Sequence, residues 1–331
     1  MHSAQQWTGH SKDVHHQSTL LHTWQQDYFQ LNAGAFCGSL RSFQLGATRL
    51  FSERMNRSVY QNGALPRERL AFGLPAEAEG PLRICGAEGS RNDLIVFSGE
   101  AGFEFLSPDQ FQFLGIEVDL LGSEDPIFSA LAQALHYRLT SDSRAIALSP
   151  GRRDKLARFL LDVLRGEALD QGQREVPGSL DNFNRGLLGW ILDMLSPQGE
   201  ESPCPGRERN IPRHWDVVAA IRELVVNAPC CPVSVAELVL ELGLSRRTLQ
   251  NACQEALGLS PVQYLRALRL NEARRNLGSD TNVTRVATQF GFWHLGHFSR
   301  DFRQMFGDLP SEISRSAARG IRRHPPPARG P

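Results

Sequence analysis

Two short stretches carry side chains suited to reading the edges of DNA bases. In SRRTLQNACQEALG, residues 245–258, apolar Leu249, Ala252, Cys253 and Leu257 recur at helical spacing and leave Arg246, Arg247, Gln250, Asn251 and Gln254 on the opposite side. Arg can donate two hydrogen bonds to guanine O6 and N7, and Gln or Asn can make a paired contact with adenine. A second stretch, residues 295–306, turns Phe298, Phe302 and Phe306 one way and His297, Ser299, Arg300, Arg303 and Gln304 the other. One such polar face could equally be solvated surface; a second lowers the weight of that reading. Leu295 and Gly296 open the second stretch without a polar group, which leaves it fewer groups able to read bases.

Other chemistries find less support. The six cysteines, Cys37, Cys85, Cys204, Cys230, Cys231 and Cys253, show no CxxC spacing, so neither a zinc cage nor a disulfide framework is expected. His294 and His297 lie three apart but have no third ligand at suggestive spacing, and no metal site is expected. The alternative function is a cupin-like or DNA-repair enzyme fused to a DNA-binding module. No His occurs between His22 and His136, which removes the usual cupin metal set, and Pro203-Cys204-Pro205 lacks the His that a reactive repair cysteine needs.

The elements that must position the base-reading side chains are legible from caps and periodicity. Residues 215–226 form one expected helix, with Val217, Val218, Ile221, Leu224 and Val225 inward. Ser234 caps a short helix through Leu242 that Gly243 ends, and Ser245 caps the next, which Gly258 closes. Two short helices around a glycine turn make a helix-turn-helix. The pattern returns at residues 284–290, ended by Gly291, and 295–306, ended by Gly307. Between the two units Ser260 and Pro261 start SPVQYLRALRLNEARRNL, a spacer helix of roughly 25 Å at about 1.5 Å per residue. Arg266, Arg274 and Arg275 on it are available to phosphates, or to Glu272 and neighbouring acids.

Earlier in the chain, residues 35–120 alternate short apolar stretches with Gly, Pro and Asn, which predicts strands. Helical periods then appear at Ile127, Leu131, Leu135 and Leu139, at Leu156, Phe159, Leu160, Val163 and Leu164, and at Phe183, Leu187, Leu188, Ile191 and Leu195. The stripe at Leu156 to Leu164 could serve a homodimer or its own core. The expected class is α+β, with a β-rich, cupin-like N-terminal sensor domain bearing a helical layer and an all-α C-terminal domain with two helix-turn-helix units. The expected boundaries are a disordered tail over 1–19, an effector-sensing and dimerisation domain over 20–195, a Pro- and Gly-rich linker over 196–212, the DNA-binding domain over 213–317, and a disordered basic tail over 318–331.

Charge divides along the same line. From Arg207 onward there are 18 Arg and no Lys against 11 acidic residues, a net +7, and the first 206 residues carry the compensating −7. A positive half joined to a negative one fits a protein whose second half alone meets a polyanion. With no apolar run of membrane-spanning length and a polar, His-rich start, a cytoplasmic protein without membrane contact is expected.

Residues 214–317 resemble the AraC/XylS DNA-binding domain: SRRTLQ, GLSP, YLRALRLNEAR, GF, FSRDFR, FG and a following Pro occur in order at the usual spacing. The resemblance implies a bacterial transcriptional activator that binds double-stranded promoter DNA, contacts RNA polymerase and needs no cofactor to bind DNA. It places Arg247, Gln250 and Asn251 at base-reading positions of the first unit and His297 and Arg300 at those of the second. GFWHLGHF, WQQDYFQLNAGAFCGSL and RLAFGLPAE are similar to ethanolamine operon regulators, which implies a small effector such as ethanolamine with cobalamin, or another amine. An amine pocket needs a carboxylate and aromatic walls, for which Glu100, Glu104, Trp24, Tyr28 and Tyr60 are the candidates.

Overall fold

The strands expected early in the chain pair into two antiparallel sheets in a computed structural model that describes residues 5–98, 102–140, 144–166, 179–196, 213–227, 233–280 and 282–323. The chain divides into two compact units, Met1–Tyr28 with Cys37–Ile211, and Phe29–Phe36 with Pro212–Pro331. The class is α+β, as the sequence indicated. The division differs from the expected boundary at one point: Phe29–Phe36 goes with the helical unit.

The first unit contains β1 (Gln5–Ser11), α1 (Val14–Thr19), β2 (Gln25–Gln30), β3 (Gly38–Leu45), β4 (Thr48–Met55), β5 (Val59–Ala64), β6 (Arg69–Glu79), β7 (Leu82–Ile84), β8 (Ala87–Gly89), β9 (Asp93–Ser98), β10 (Phe103–Ser107), β11 (Asp109–Asp119), α2 (Pro126–Thr140), β12 (Ala145–Ala147), α3 (Pro150–Arg165) and α4 (Ser179–Leu195). One sheet runs β1-β3-β4-β11-β6-β9-β12 and the other β2-β5-β10-β7-β8. Alternation along the long strands gives the larger sheet two apolar faces. Leu50, Leu70, Phe72, Leu74, Leu114, Ile116 and Val118 pack with Leu135, Leu139, Leu156, Leu160, Leu188 and Ile191 of the helices. On the other face, Phe51, Phe97, Phe103, Phe105 and Phe113 make a web of edge and tilted ring contacts with Trp24. Gly115 lies opposite Phe51 in register, and a Cβ there would sit 2.2 Å from the Phe51 ring, so glycine is what lets that ring lie on the sheet.

Two expectations are corrected here, and one open alternative is decided. Residues 5–19, expected as part of a tail, form β1 and α1. β1 is an edge strand joined to β3 through its main chain with most side chains exposed, so its composition carried no apolar signal. The inward stripe of α2 is Phe128, Ala132, Leu135 and Leu139, with Leu131 at its margin; Ile127 is 53% exposed, and Phe128 takes the inward place in the first turn. The expected stripe at Leu156, Leu160, Val163 and Leu164 is buried in the unit's own core. The linker call falls on residues 197–212, outside the described residues apart from Ser196.

The second unit is helical: α5 (Arg213–Asn227), α6 (Val235–Glu241), α7 (Arg246–Leu257), α8 (Pro261–Leu277), α9 (Val283–Gln289), α10 (Leu295–Phe306) and α11 (Pro310–Arg323). Local chemistry sets the ends. Ser234 and Ser260 each form a reciprocal capping box, with Glu237 and Gln263, and Ser245 accepts from Thr248 N–H. Gly243, in the turn between α6 and α7, has φ +62°, and Gly291, between α9 and α10, has φ +79°, both in the left-handed region. α11 continues to Arg323, so residues 318–323 are helical instead of part of a tail; residues 324–331 lie outside the described set.

Candidate nucleic-acid interface

Each helix-turn-helix holds its second helix by an apolar face and leaves the other face open. On α7, Leu249, Ala252, Cys253 and Ala256 are buried, the last in the place expected for Leu257, which is only half-buried. Arg246, Arg247, Gln250, Asn251 and Gln254 are all exposed and have no side-chain partner among the described residues. On α10, Phe298, Asp301, Phe302, Met305 and Phe306 are buried, while His297, Arg300, Arg303 and Gln304 are exposed. Phe298, Phe302 and Phe306 touch in sequence, the first pair tilted and the second edge-on, with centroids 5.5 and 4.8 Å apart. Burial of three such rings stabilises the helix seat by several kcal/mol, at about 1.5–3 kcal/mol each, so the open polar face does not bear on whether the helix forms.

The start of α10 is apolar and open: Trp293 is 71% and Leu295 40% exposed. His294 and His297 lie with ring centroids 5.7 Å apart.

The spacer arginines are held within this unit. Arg266 pairs with Asp301, and Arg275 approaches Glu272 at 3.4 Å. Arg274 is 5% exposed, reaches Asp308 at 3.4 Å and lies 4.8 Å from the Phe306 ring centroid. A packed cation of this kind fixes α8 against α10. Of the three, Arg266 alone keeps a half-exposed side chain, at 51%.

The segment Phe29–Phe36 completes the unit in a way the sequence did not signal. Gln30 donates through Nε2 to Met305 O at 2.8 Å, and Gly34 N–H points at Gln304 O and Met305 O, both at 3.0 Å. Those carbonyls belong to the last turn of α10, where no helical N–H follows to satisfy them. Gly307 closes that helix at φ +84°, with a would-be Cβ 2.8 Å from Ala35 Cβ, so another residue there would meet both strain and a clash.

In the first unit, the four effector candidates among the described residues fall into separate pairings. Tyr60 donates to Glu104 at 2.6 Å, a pair formed across β5 and β10. Glu100 lies outside the described residues. Trp24 Nε1 donates at 2.7 Å to Glu117, which also meets Arg49 and Arg69. Burial works against the Glu117 charge, but Arg49, Trp24 and Arg69 together hold its carboxyl below the usual range. Tyr28 donates to Glu53 at 3.2 and 3.3 Å. Glu53 and Glu117 are the carboxylates that sequence reasoning missed. No local sequence signal marks them: Glu53 becomes an inward position only when Leu40 and Phe113 pair beside it, and Glu117 only when Arg49 and Ala71 do.

Among the described residues, no three His, Cys, Asp or Glu side chains group as metal ligands, and no helix is long and apolar enough to cross a membrane. Cys204, Cys230 and Cys231 lie outside the described set.

Residues 238–316 match the family described as a helix-turn-helix domain. A probable thc operon regulatory protein of Rhodococcus erythropolis is 36% identical over 89 residues, 26% of this chain and 27% of that one. The HTH-type transcriptional activator RhaS of Salmonella dublin is 30% identical over 222 residues, 62% of this chain and 66% of that one. The chain thus spans about a quarter of the first relative's length and just under two thirds of the second's. A crystal structure of a probable AraC family transcriptional regulator from Rhodopseudomonas palustris, 34% identical, covers 31% of this chain and 97% of its own, with a TM-score of 0.29. The family match runs from within α6 into α11 and so takes in both helix-turn-helix units.

Proposed function

We propose that this protein is an AraC/XylS-type transcription regulator that places α7 and α10 in successive major grooves of promoter DNA. The observation that carries the reading is the pair of glycine-turned helices whose polar faces are exposed while their apolar faces are buried. Arg247, Gln250 and Asn251 then read bases from α7, with Arg246 and Gln254 beside them, and His297, Arg300 and Arg303 act from α10. The regulatory relatives and the helix-turn-helix match support this reading over an enzymatic one. Arg266 is the spacer residue best placed to meet a phosphate, since Arg274 is packed inside the unit.

The first unit is proposed as the sensor of a small effector, of which ethanolamine with cobalamin, or another amine, is the candidate. It would act from the cytoplasm by shifting promoter occupancy or contact with RNA polymerase, as an activator. A homodimer would use a surface other than the buried Leu156 and Leu160 stripe.

The test is binding of the full chain to fragments of its own upstream region against scrambled competitors over a salt series. Selective binding whose affinity falls linearly on a log–log salt plot is expected. Equal affinity for every fragment would remove the regulator reading.

A further inference from the structure

The interior of the first unit holds a carboxylate with no cation paired to it among the described residues. Glu53, 4% exposed, projects from β4 between its register partners Leu40 of β3 and Phe113 of β11, with Phe51 and Met55 before and after it on the same face. Its oxygens accept from Gln17 Nε2 at 2.9 Å and from the Tyr28 hydroxyl at 3.2 and 3.3 Å, and both donors are neutral. Arg49, four residues along the same face of β4, is committed to Glu117, and no Lys, Arg or His among the described residues pairs with Glu53. Burial accordingly pushes the Glu53 carboxyl up to about 7, against the opposing pull of Gln17 and Tyr28.

The same place is short of hydrogen-bond donors. Gln17, fully buried, leaves its Oε1 without a partner, and so does Gln26, whose Nε2 goes to Ser18 O at 2.9 Å and whose side chain lies against the Tyr28 hydroxyl. Buried acceptors are rarely left unmet, and a buried charge is ordinarily paired. One negative charge, two spare amide oxygens and nearby aromatic rings match a group with one positive charge, three N–H donors and a short apolar stem. That group is an alkylammonium.

We propose that Glu53, Gln17, Gln26 and Tyr28 form the binding site of a small primary amine in its ammonium form. Glu53 is the counter-ion, the two amide oxygens take N–H donors, and Phe51 and Phe113 lie beside the stem. The inference rests on the reading of the first unit as the sensor of an amine and gives that sensor its residues, with Glu53 as the counter-ion in place of the Glu100 and Glu104 suggested by sequence. Glu117 is excluded from the role because two arginines already neutralise it.

The experiment is calorimetric titration of the full chain, without DNA, at a mildly alkaline pH that ionises Glu53. The probes are propylamine, ethanolamine, the neutral isostere propan-1-ol, and potassium and calcium chlorides. Saturable binding of the amines alone is expected, weakened at least about tenfold by Glu53→Gln in a protein that still melts cooperatively, as loss of a charged hydrogen-bonded partner implies. Gln26→Leu, at the partly exposed edge, provides a second variant and should weaken amine binding several-fold even if Glu53→Gln does not fold. No saturable amine binding, equal binding of propan-1-ol or potassium, or full amine affinity in both variants would overturn the proposal. Because no DNA is present, failure of promoter binding would count against the regulator reading and leave this result standing.

Discussion

Asn271 of α8 holds residue Gln30 by both of its main-chain groups: Asn271 Oδ1 accepts from Gln30 N–H at 3.0 Å, and Asn271 Nδ2 donates to Gln30 C=O at 2.9 Å. The amide side chain thereby acts as a strand of one residue, and it sits fully buried in the helical unit. Asn271→Leu leaves two main-chain groups unpaired in an apolar setting, so the unit should lose about 2–4 kcal/mol of stability. Chemical denaturation followed by a probe in the second unit measures this, and a midpoint equal to wild type would show that water replaces the side chain at no cost.

Arg247→Ala tests base reading directly. Loss of about 1–3 kcal/mol at the cognate site with relaxed preference at one base pair is expected. A uniform loss on specific and random fragments, with a shallower salt slope, would reassign Arg247 to a phosphate.

Arg274→Ala should behave differently although it is also an arginine of the helical unit. Its guanidinium lies over Phe306 and near Asp308, so the variant should melt earlier by about 1–3 kcal/mol while the surviving folded fraction keeps its base preference. Altered preference with unchanged melting would contradict its structural placement.

Glu53 makes the first unit's stability depend on pH. Its folded carboxyl is raised from 4.5 to about 7, so the folded state holds a proton that the unfolded chain gives up. The contribution is fully present below about pH 4.5 and declines as pH rises to about 7, by roughly 1.4 kcal/mol per pH unit and about 3 kcal/mol in all. Glu53→Gln should flatten the curve in that window. A wild-type curve already flat there would place a counter-charge on Glu53 that the described residues do not provide.

Leu295→Gln adds a donor and an acceptor at the exposed, apolar start of α10. Selection from a randomised fragment library should then show sharper preference for adenine over the bases facing α10, with those facing α7 unchanged. Identical selected sequences would mean that Leu295 does not face the bases.

What was legible in the sequence was local. Ser234, Ser245, Ser260, Gly258 and Gly307 announce helix ends within four residues, because caps act on the main chain next to them. The end of α10 at Phe306, just before Gly307, is accordingly legible to the residue. Features made by distant pairing gave no such signal. β1 looks polar because its contribution is main-chain bonding to β3. Glu53 and Glu117 look like surface acids until the facing strands bury them. Asn271 reads as one more polar residue in an amphipathic helix, since its partner lies 241 positions away.

That separation also has a consequence for synthesis. Gln30 leaves the ribosome 241 residues before the Asn271 it must meet. Closing so long a loop costs entropy that only the finished contacts repay, so assembly of the helical half is expected to wait until α10 has been made. A gene fragment that begins at the inter-unit linker encodes every helix of that half and still omits the eight residues that seal its last carbonyls.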